Sequence, residues 1–202
     1  MSNSRAGLIW AAVAIAILVP LIAAAASPLL AWREPIYIAA GFAGIIALGL
    51  LLLQPLLIGG FLPGLSGLSA RRVHRWIGAI VVLAVIVHVV ALWITSPPDV
   101  IDALLFVSPT PFSVWGVLAM WAVFAAAFLA AFRKRLGIRP RTWRLLHTSL
   151  AAVIVTGTVV HAALIEGTME TVTKLALCSL VIVVTIKVFV DLRVWARGAA
   201  SR

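Results

Sequence analysis

The chain alternates between long apolar segments and short polar connectors. Six segments reach the roughly 20 apolar residues that a transmembrane helix needs. They run approximately from Leu8 to Trp32, Ile36 to Ile58, Val73 to Thr95, Phe112 to Phe132, Trp143 to Ile165 and Val172 to Trp195. The connectors carry turn residues, as in the segment from Ser96 to Asp99. We therefore predict an all-α fold, a single domain over residues 1–202 that forms a polytopic membrane bundle of six transmembrane helices.

The composition supports this class. The chain is 64% hydrophobic and 11% charged, whereas soluble domains are about half apolar and a quarter charged. The net charge of +10 is typical of a membrane protein whose basic residues gather in cytoplasmic connectors. We expect membrane lipid and no nucleic acid among its partners. The lone cysteine, Cys178, excludes an internal disulfide and is predicted to be a small buried side chain.

Charge alternates between successive connectors and predicts the orientation. The basic residues are Arg71 and Arg72 before span three with Arg75 just beyond, the set Arg133, Lys134, Arg135, Arg139, Arg141 and Arg144 between spans four and five, and Arg193, Arg197 and Arg202 near the C-terminus. The acidic residues Asp99 and Asp102 lie between spans three and four, and Glu166 and Glu170 lie between spans five and six. The positive-inside rule places both termini and the basic connectors in the cytoplasm.

The first span has two interpretations. Arg5, an apolar stretch to Val19, then Pro20 and a run of alanines before Ser27 resemble a cleavable signal peptide. Cleavage would leave five spans in the same orientation. We favour a retained helix because the apolar run continues to Trp32.

The four histidines carry the strongest functional signal. His74 and His88 lie on span three, His147 and His161 lie on span five, and each pair is fourteen residues apart. Fourteen residues span roughly 21 Å of helix and return to within about 40° of the same face. Two adjacent helices would therefore present two facing imidazole pairs, one near each membrane surface. This arrangement can hold two hexacoordinate haems stacked across a membrane.

Two glycines each lie one helical turn from a histidine, on the same face of the helix as that histidine. Gly78 follows His74 and Gly157 precedes His161. They either make room for a flat macrocycle or pack helices, as glycine often does in membranes. The glycines of span two, from Gly41 to Gly49, are predicted to pack helices, because no Gly-rich nucleotide fingerprint follows a strand.

Arginine flanks the two histidines near the predicted cytoplasmic surface. These arginines are Arg71, Arg72, Arg75 and Arg144. A guanidinium group matches the carboxylate of a haem propionate, and the same residues can set topology. Trp76 and Trp143 are predicted to belong to an interfacial aromatic belt.

Other functions remain to be weighed against haem ligation. A structural zinc site needs ligands that converge on one ion, which histidines roughly 21 Å apart on one helix cannot provide. In a haem-free transporter the histidines would relay protons, yet Lys187 and Asp191 are the other ionisable groups that we note within the spans. A third alternative is an anchor that holds a redox partner at the membrane.

The histidine motifs resemble those of the ferric reductase-like transmembrane domain superfamily. They are the segment Arg71 to Gly78 with His88, and the segment Trp143 to His147 with His161. The superfamily includes ferric reductases, the membrane halves of NADPH oxidases, and the haem subunit of the bacterial periplasmic methionine sulfoxide reductase system. The resemblance covers essentially the whole chain.

This resemblance implies two haem b groups, an inner one bound by His74 and His147 and an outer one bound by His88 and His161. It implies electron transfer from a cytoplasmic flavoprotein or quinol to an acceptor on the outer face, in a bacterial inner membrane. We expect the acceptor to be one of three alternatives: a ferric chelate, oxygen or a soluble periplasmic reductase. Ferric reductases and NADPH oxidases usually carry a flavin and nicotinamide domain, and we expect a separate protein to supply that function here.

Overall fold

The computed structural model describes residues 3–192, and every regular element within that range is helical. The helices are α1 (Asn3–Ala25), α2 (Pro35–Ile58), α3 (Gly67–Thr95), α4 (Pro97–Leu104), α5 (Ser113–Phe132), α6 (Pro140–Leu164) and α7 (Thr171–Asp191), with a 3₁₀ turn over Pro28–Leu30. Six of these helices, all except α4, are long and apolar enough to cross a membrane. The predicted all-α class and six spans are confirmed.

The predicted bounds of α1 were wrong at its C-terminal end. The helix ends at Ala25 rather than Trp32, because Pro28 disfavours a helical conformation of the residue before it. Ser27 is extended, with φ −68° and ψ 129°. The predicted end of the last span, Trp195, and the arginines Arg193, Arg197 and Arg202 lie outside the described residues.

The basic end of α3 also differs from the prediction, and the connector after it is partly helical. The helix starts at Gly67, six residues before the predicted Val73, because a cap forms there: the Ser66 N–H donates to Ser69 Oγ at 3.2 Å. The connector that carries the turn residues Ser96 to Asp99 forms the short helix α4. Its first turn begins with two prolines, which suit the start of a helix, and Val100 buries its side chain.

The bundle consists of two tightly packed helix pairs joined by α7. Helix α2 packs extensively on α3 and α5 on α6, while α7 contacts both α2 and α6, and α1 lies against α2 and α7. The core between α2, α6 and α7 contains Leu48, Leu51, Leu52, Val155, Val159, Leu177, Cys178 and Val181. Within residues 3–192, α3 and α6 are not a closely packed pair. A space therefore separates the two helices that carry the histidines.

Large apolar side chains cover the outside of the bundle. Examples are Ile15, Ile86, Val183 and Ile186, all of them exposed. Such a surface is unfavourable in water but suits contact with lipid chains, and the helical backbone satisfies its own hydrogen bonds there. The chain is an integral membrane protein.

Candidate functional site

The four histidines meet in two facing pairs between α3 and α6. The ring centroids of His74 and His147 are 6.2 Å apart, and their planes cross at 75°. Those of His88 and His161 are 6.4 Å apart and cross at 85°. Since His74 faces His147 and His88 faces His161, α3 and α6 run in the same direction. We call the first set the basic-end pair, because arginines flank it, and the second the acidic-end pair.

The ring separation within each pair is compatible with two histidines on opposite sides of one metal ion. A histidine nitrogen lies about 2 Å from a first-row metal, and the ring centroid lies about 1.1 Å behind that nitrogen, so two opposed ligands have centroids about 6 Å apart. The observed separations are 6.2 and 6.4 Å. Within the described range, no three His, Cys, Asp or Glu side chains gather as a metal site. Each pair therefore offers two histidine nitrogens, fewer side-chain ligands than a structural zinc site has.

Hydrogen bonds to the backbone orient the acidic-end pair. Nδ1 of His88 lies 2.7 Å from the Ala40 carbonyl oxygen of α2. Nδ1 of His161 lies 2.9 Å from the Phe112 carbonyl oxygen at the start of α5. A carbonyl oxygen only accepts, so both Nδ1 atoms carry the proton. Each Nε2 is then the unprotonated nitrogen that a metal requires.

The basic-end pair has a different environment. Nδ1 of His74 and Nδ1 of His147 are buried and have no hydrogen-bond partner among the described residues, and the same is true of Gln54 Oε1. Nε2 of Gln54 donates to the His74 carbonyl oxygen at 3.4 Å. Gln54 was not among the residues singled out from the sequence, because a glutamine within an apolar helix carries no motif of its own.

An aromatic stack covers His147. The Trp143 ring lies 4.9 Å from the His147 ring at an interplanar angle of 13°, and the Arg133 guanidinium lies 5.0 Å from the Trp143 ring centroid. Trp143 was assigned to an aromatic belt from the sequence. Its place one turn before His147 lets it pack on the imidazole as well.

The predicted arginines lie at the basic end of the bundle. Arg71, Arg72, Arg75 and Arg144 are all exposed. Each lies within three residues of His74 or His147 along its helix. They are positioned on the surface around the basic-end pair.

The two predicted glycines have different surroundings. A Cβ added to Gly78 would meet only Gln54 Nε2, at 3.6 Å. A Cβ added to Gly157 would lie 2.9 Å from the Trp115 carbonyl oxygen and 3.1 Å from Ala119 Cβ. Gly157 therefore lets α6 approach α5 closely. Of the two roles predicted for this glycine, helix packing is the one that its surroundings support.

The structure places two other glycines against histidine rings. A Cβ on Gly44 of α2 would lie 3.2 Å from His88 Nδ1, and one on Gly116 of α5 would lie 2.6 Å from His161 Nδ1. Among the span-two glycines, Gly49 does pack on another helix, where its Cβ would lie 3.1 Å from Ile17 of α1. In the sequence, Gly44 lies four residues after Ala40 and Gly116 lies four residues after Phe112. This spacing indicates a role only when the helices that pack against these glycines are known.

One charged residue within a span was overlooked. Lys174 lies on α7 and is only 5% exposed. Its Nζ donates to the Ile165 carbonyl oxygen, at the C-terminus of α6, at 2.6 Å. The expectation that Lys187 and Asp191 are the other ionisable groups of the spans was incomplete, because it omitted Lys174. Lys187 and Asp191 lie on α7 as expected and form an exposed ion pair.

Glu170, at the acidic end, caps α7. Its carboxylate oxygens accept hydrogen bonds from the backbone N–H groups of Val172 and Thr173, both at 2.7 Å. Both bonds lower the pKa of Glu170 below its ordinary value, and the bond from Thr173 has the larger effect. This acid therefore has a structural role at the start of the helix.

Fold and site together define a helical membrane protein with two partly buried histidine pairs. Residues 40–158 match the ferric reductase like transmembrane component family. That range exceeds half of the 202 residues, so the chain belongs to this family. The matched range contains His74, His88 and His147 and ends three residues before His161. Searches of curated proteins and of solved structures found no match. Membership of this family indicates transmembrane electron transfer in general.

Proposed function

We propose that the chain conducts electrons across the membrane through two haem b groups, each held by one histidine pair. The observation that carries the proposal is the pair of ring separations, 6.2 and 6.4 Å, which match two imidazoles bound to one iron. The gap between α3 and α6 supports it, because a flat macrocycle needs space between its ligand helices.

The residues present suit electron transfer better than oxygen activation at iron. Two histidines would occupy both axial positions, so oxygen would have no open coordination site, and such haems mainly pass electrons. The bound haem supplies reversible one-electron chemistry. The chain itself supplies two partly buried sites roughly 21 Å apart along the helices.

The charge distribution suggests the direction of the relay. We place the basic end in the cytoplasm by the positive-inside rule, in a bacterial inner membrane. There Arg71, Arg72, Arg75 and Arg144 would pair with the propionates of the inner haem. A separate cytoplasmic flavoprotein or quinol would donate electrons. The acceptor at the acidic end would be a ferric chelate, oxygen or a soluble periplasmic reductase, including a methionine sulfoxide reductase.

A reduced-minus-oxidised absorption spectrum with pyridine haemochrome stoichiometry tests this proposal. We expect two b-type haems per purified chain. Because the ring planes cross at 75° and 85°, we also expect the strongly anisotropic low-spin ferric EPR signals of near-perpendicular axial imidazoles. A variant with all four histidines replaced by alanine is the control and should bind none. Absence of haem from the wild type after expression with ample haem supply would overturn the proposal and favour the proton-relay alternative.

A further inference from the structure

We propose that Gly44 and Gly116 are positioning residues for the acidic-end pair. Each opens one turn of a neighbouring helix so that a backbone carbonyl can hold the Nδ1–H of a histidine ligand. This inference rests on the proposed function for its effect on haem, while the hydrogen bonds themselves are properties of the chain alone.

The first of these elements lies on α2. His88 Nδ1 reaches the Ala40 carbonyl oxygen at 2.7 Å. Gly44 is four residues further along α2, and a Cβ there would lie 3.2 Å from Nδ1 and 3.3 Å from Cε1 of His88. These distances are tighter than ordinary carbon contacts, so even a methyl group at this position would press on the ring.

The second element lies on α5 and repeats the arrangement. His161 Nδ1 reaches the Phe112 carbonyl oxygen at 2.9 Å. Gly116 is again four residues further on, and its Cβ would lie 2.6 Å from Nδ1 and 2.7 Å from Cε1 of His161. The Phe112 ring also contacts the imidazole edge-on, with 5.8 Å between centroids. A side chain at Gly116 is therefore incompatible with the observed ring position.

The shared spacing of four residues has a physical cause. In an α-helix the carbonyl of residue i accepts from the N–H of residue i+4, as Phe112 does from Gly116 at 3.2 Å. Side chains tilt towards the helix N-terminus, so the side chain at i+4 leans over that carbonyl. Glycine at i+4 leaves the second lone pair of the oxygen open to a ring from another helix.

Hydrogen bonds to both Nδ1 atoms are formed at the acidic-end pair, at 2.7 and 2.9 Å. At the basic end the Gln54 backbone also interacts with the His74 ring, but it forms no such bond to Nδ1. The Nδ1 atoms of His74 and His147 have no hydrogen-bond partner among the described residues. A hydrogen bond from Nδ1–H to a carbonyl fixes the tautomer and makes Nε2 a stronger donor to a metal. Since a stronger donor stabilises ferric over ferrous iron, the two carbonyls would lower the midpoint potential of the acidic-end haem.

The test compares Gly44→Ala and Gly116→Ala with Gly41→Ala. Gly41 is a matched control on α2, because its Cβ would meet only Thr168 Oγ1, at 3.9 Å. We expect Gly116→Ala to halve the haem-to-protein ratio, from two to one. The milder Gly44→Ala should keep both haems and raise the midpoint potential of one of them, and Gly41→Ala should match the wild type.

Two further measurements separate the possible failures. Circular dichroism and size-exclusion chromatography establish that each variant folds, and the milder Gly44→Ala keeps the test usable if Gly116→Ala does not. The ¹⁵N imidazole chemical shifts of the haem-free protein report the tautomers directly, and His88 and His161 should show a protonated Nδ1. Gly44→Ala should change the shifts of His88, and Gly116→Ala should change those of His161. Wild-type potentials and wild-type shifts in Gly44→Ala and Gly116→Ala would overturn the inference. A wild type without haem but with the expected shifts would overturn only the proposed function.

Discussion

Replacing Gly157 by alanine would insert a methyl group between α5 and α6. Its Cβ would lie 2.9 Å from the Trp115 carbonyl oxygen and 3.1 Å from Ala119 Cβ. Neither atom can rotate away, because one belongs to the backbone and the other is attached to it. Overpacking of this kind costs about 1–3 kcal/mol, and the helix preference of alanine over glycine returns at most about 1 kcal/mol. We expect a net destabilisation of about 1–2 kcal/mol.

Gly78→Ala provides the matched comparison. The Cβ would meet only Gln54 Nε2, at the ordinary distance of 3.6 Å, and that amide ends a flexible side chain. The helix preference then acts alone, so this variant should be neutral or up to about 1 kcal/mol more stable in the haem-free protein. The two glycines, equivalent in the sequence, should differ by roughly 2 kcal/mol.

Thermal unfolding of both haem-free variants in the same detergent, followed by circular dichroism and tryptophan fluorescence, measures this difference. For a protein of this size we expect Gly157→Ala to lower Tm by about 2–8 °C, with Gly78→Ala at or above the wild type. Haem content is measured in parallel. If Gly157→Ala unfolds at the wild-type temperature and loses a haem, the glycine makes room for the cofactor and the packing role inferred above is wrong.

Three further predictions concern single side chains. His88→Ala should remove one haem and leave the other, measured by pyridine haemochrome; retention of two haems would refute the pairing with the opposite histidine. Lys174→Met removes the charged donor of a partly buried hydrogen bond to the Ile165 carbonyl oxygen and should cost about 1–3 kcal/mol in thermal unfolding. The control Lys187→Met, in an ion pair exposed by 57% and 47%, should change stability by less than about 1 kcal/mol. Equal losses would contradict a stabilising role of the Lys174 hydrogen bond. The pKa of Glu170 is lowered by two backbone N–H donors, so its stabilising contribution is fully present above its unfolded pKa and is lost as the pH falls through the lower folded pKa. Glu170→Gln should remove that part of the acid dependence of Tm, and an unchanged acid dependence would show that the cap contributes nothing.

The sequence alone determined the helical class and the six spans. Long uncharged segments must form helices in hydrocarbon, because each backbone polar group needs an internal partner. It also determined which histidines can face each other. Two spans separated by one other span run in the same direction, so equal spacing on both brings His74 level with His147 and His88 level with His161.

Local bounds depended on capping and on proline. The sequence predicted span three to start at Val73, whereas the serine cap extends α3 back to Gly67. The first helix ends at Ala25, well before the apolar run does, because a proline follows shortly. These signals were present in the sequence. The predicted bounds followed the length of the apolar segments instead of the serine cap and the proline.

Only the tertiary structure decided the role of each small or polar residue. Gly44, Gly116 and Gly157 look alike as glycines in apolar helices, yet two face histidine rings and one faces a helix backbone. The acceptors for His88 and His161 are carbonyl oxygens, which every residue carries, so no side-chain pattern can reveal them. Lys174 likewise gains its partner from the end of a different helix. A sequence determines which residues share a face of a helix and how far along the helix each one lies. The neighbour that each face contacts depends on how the helices rotate and pack against one another.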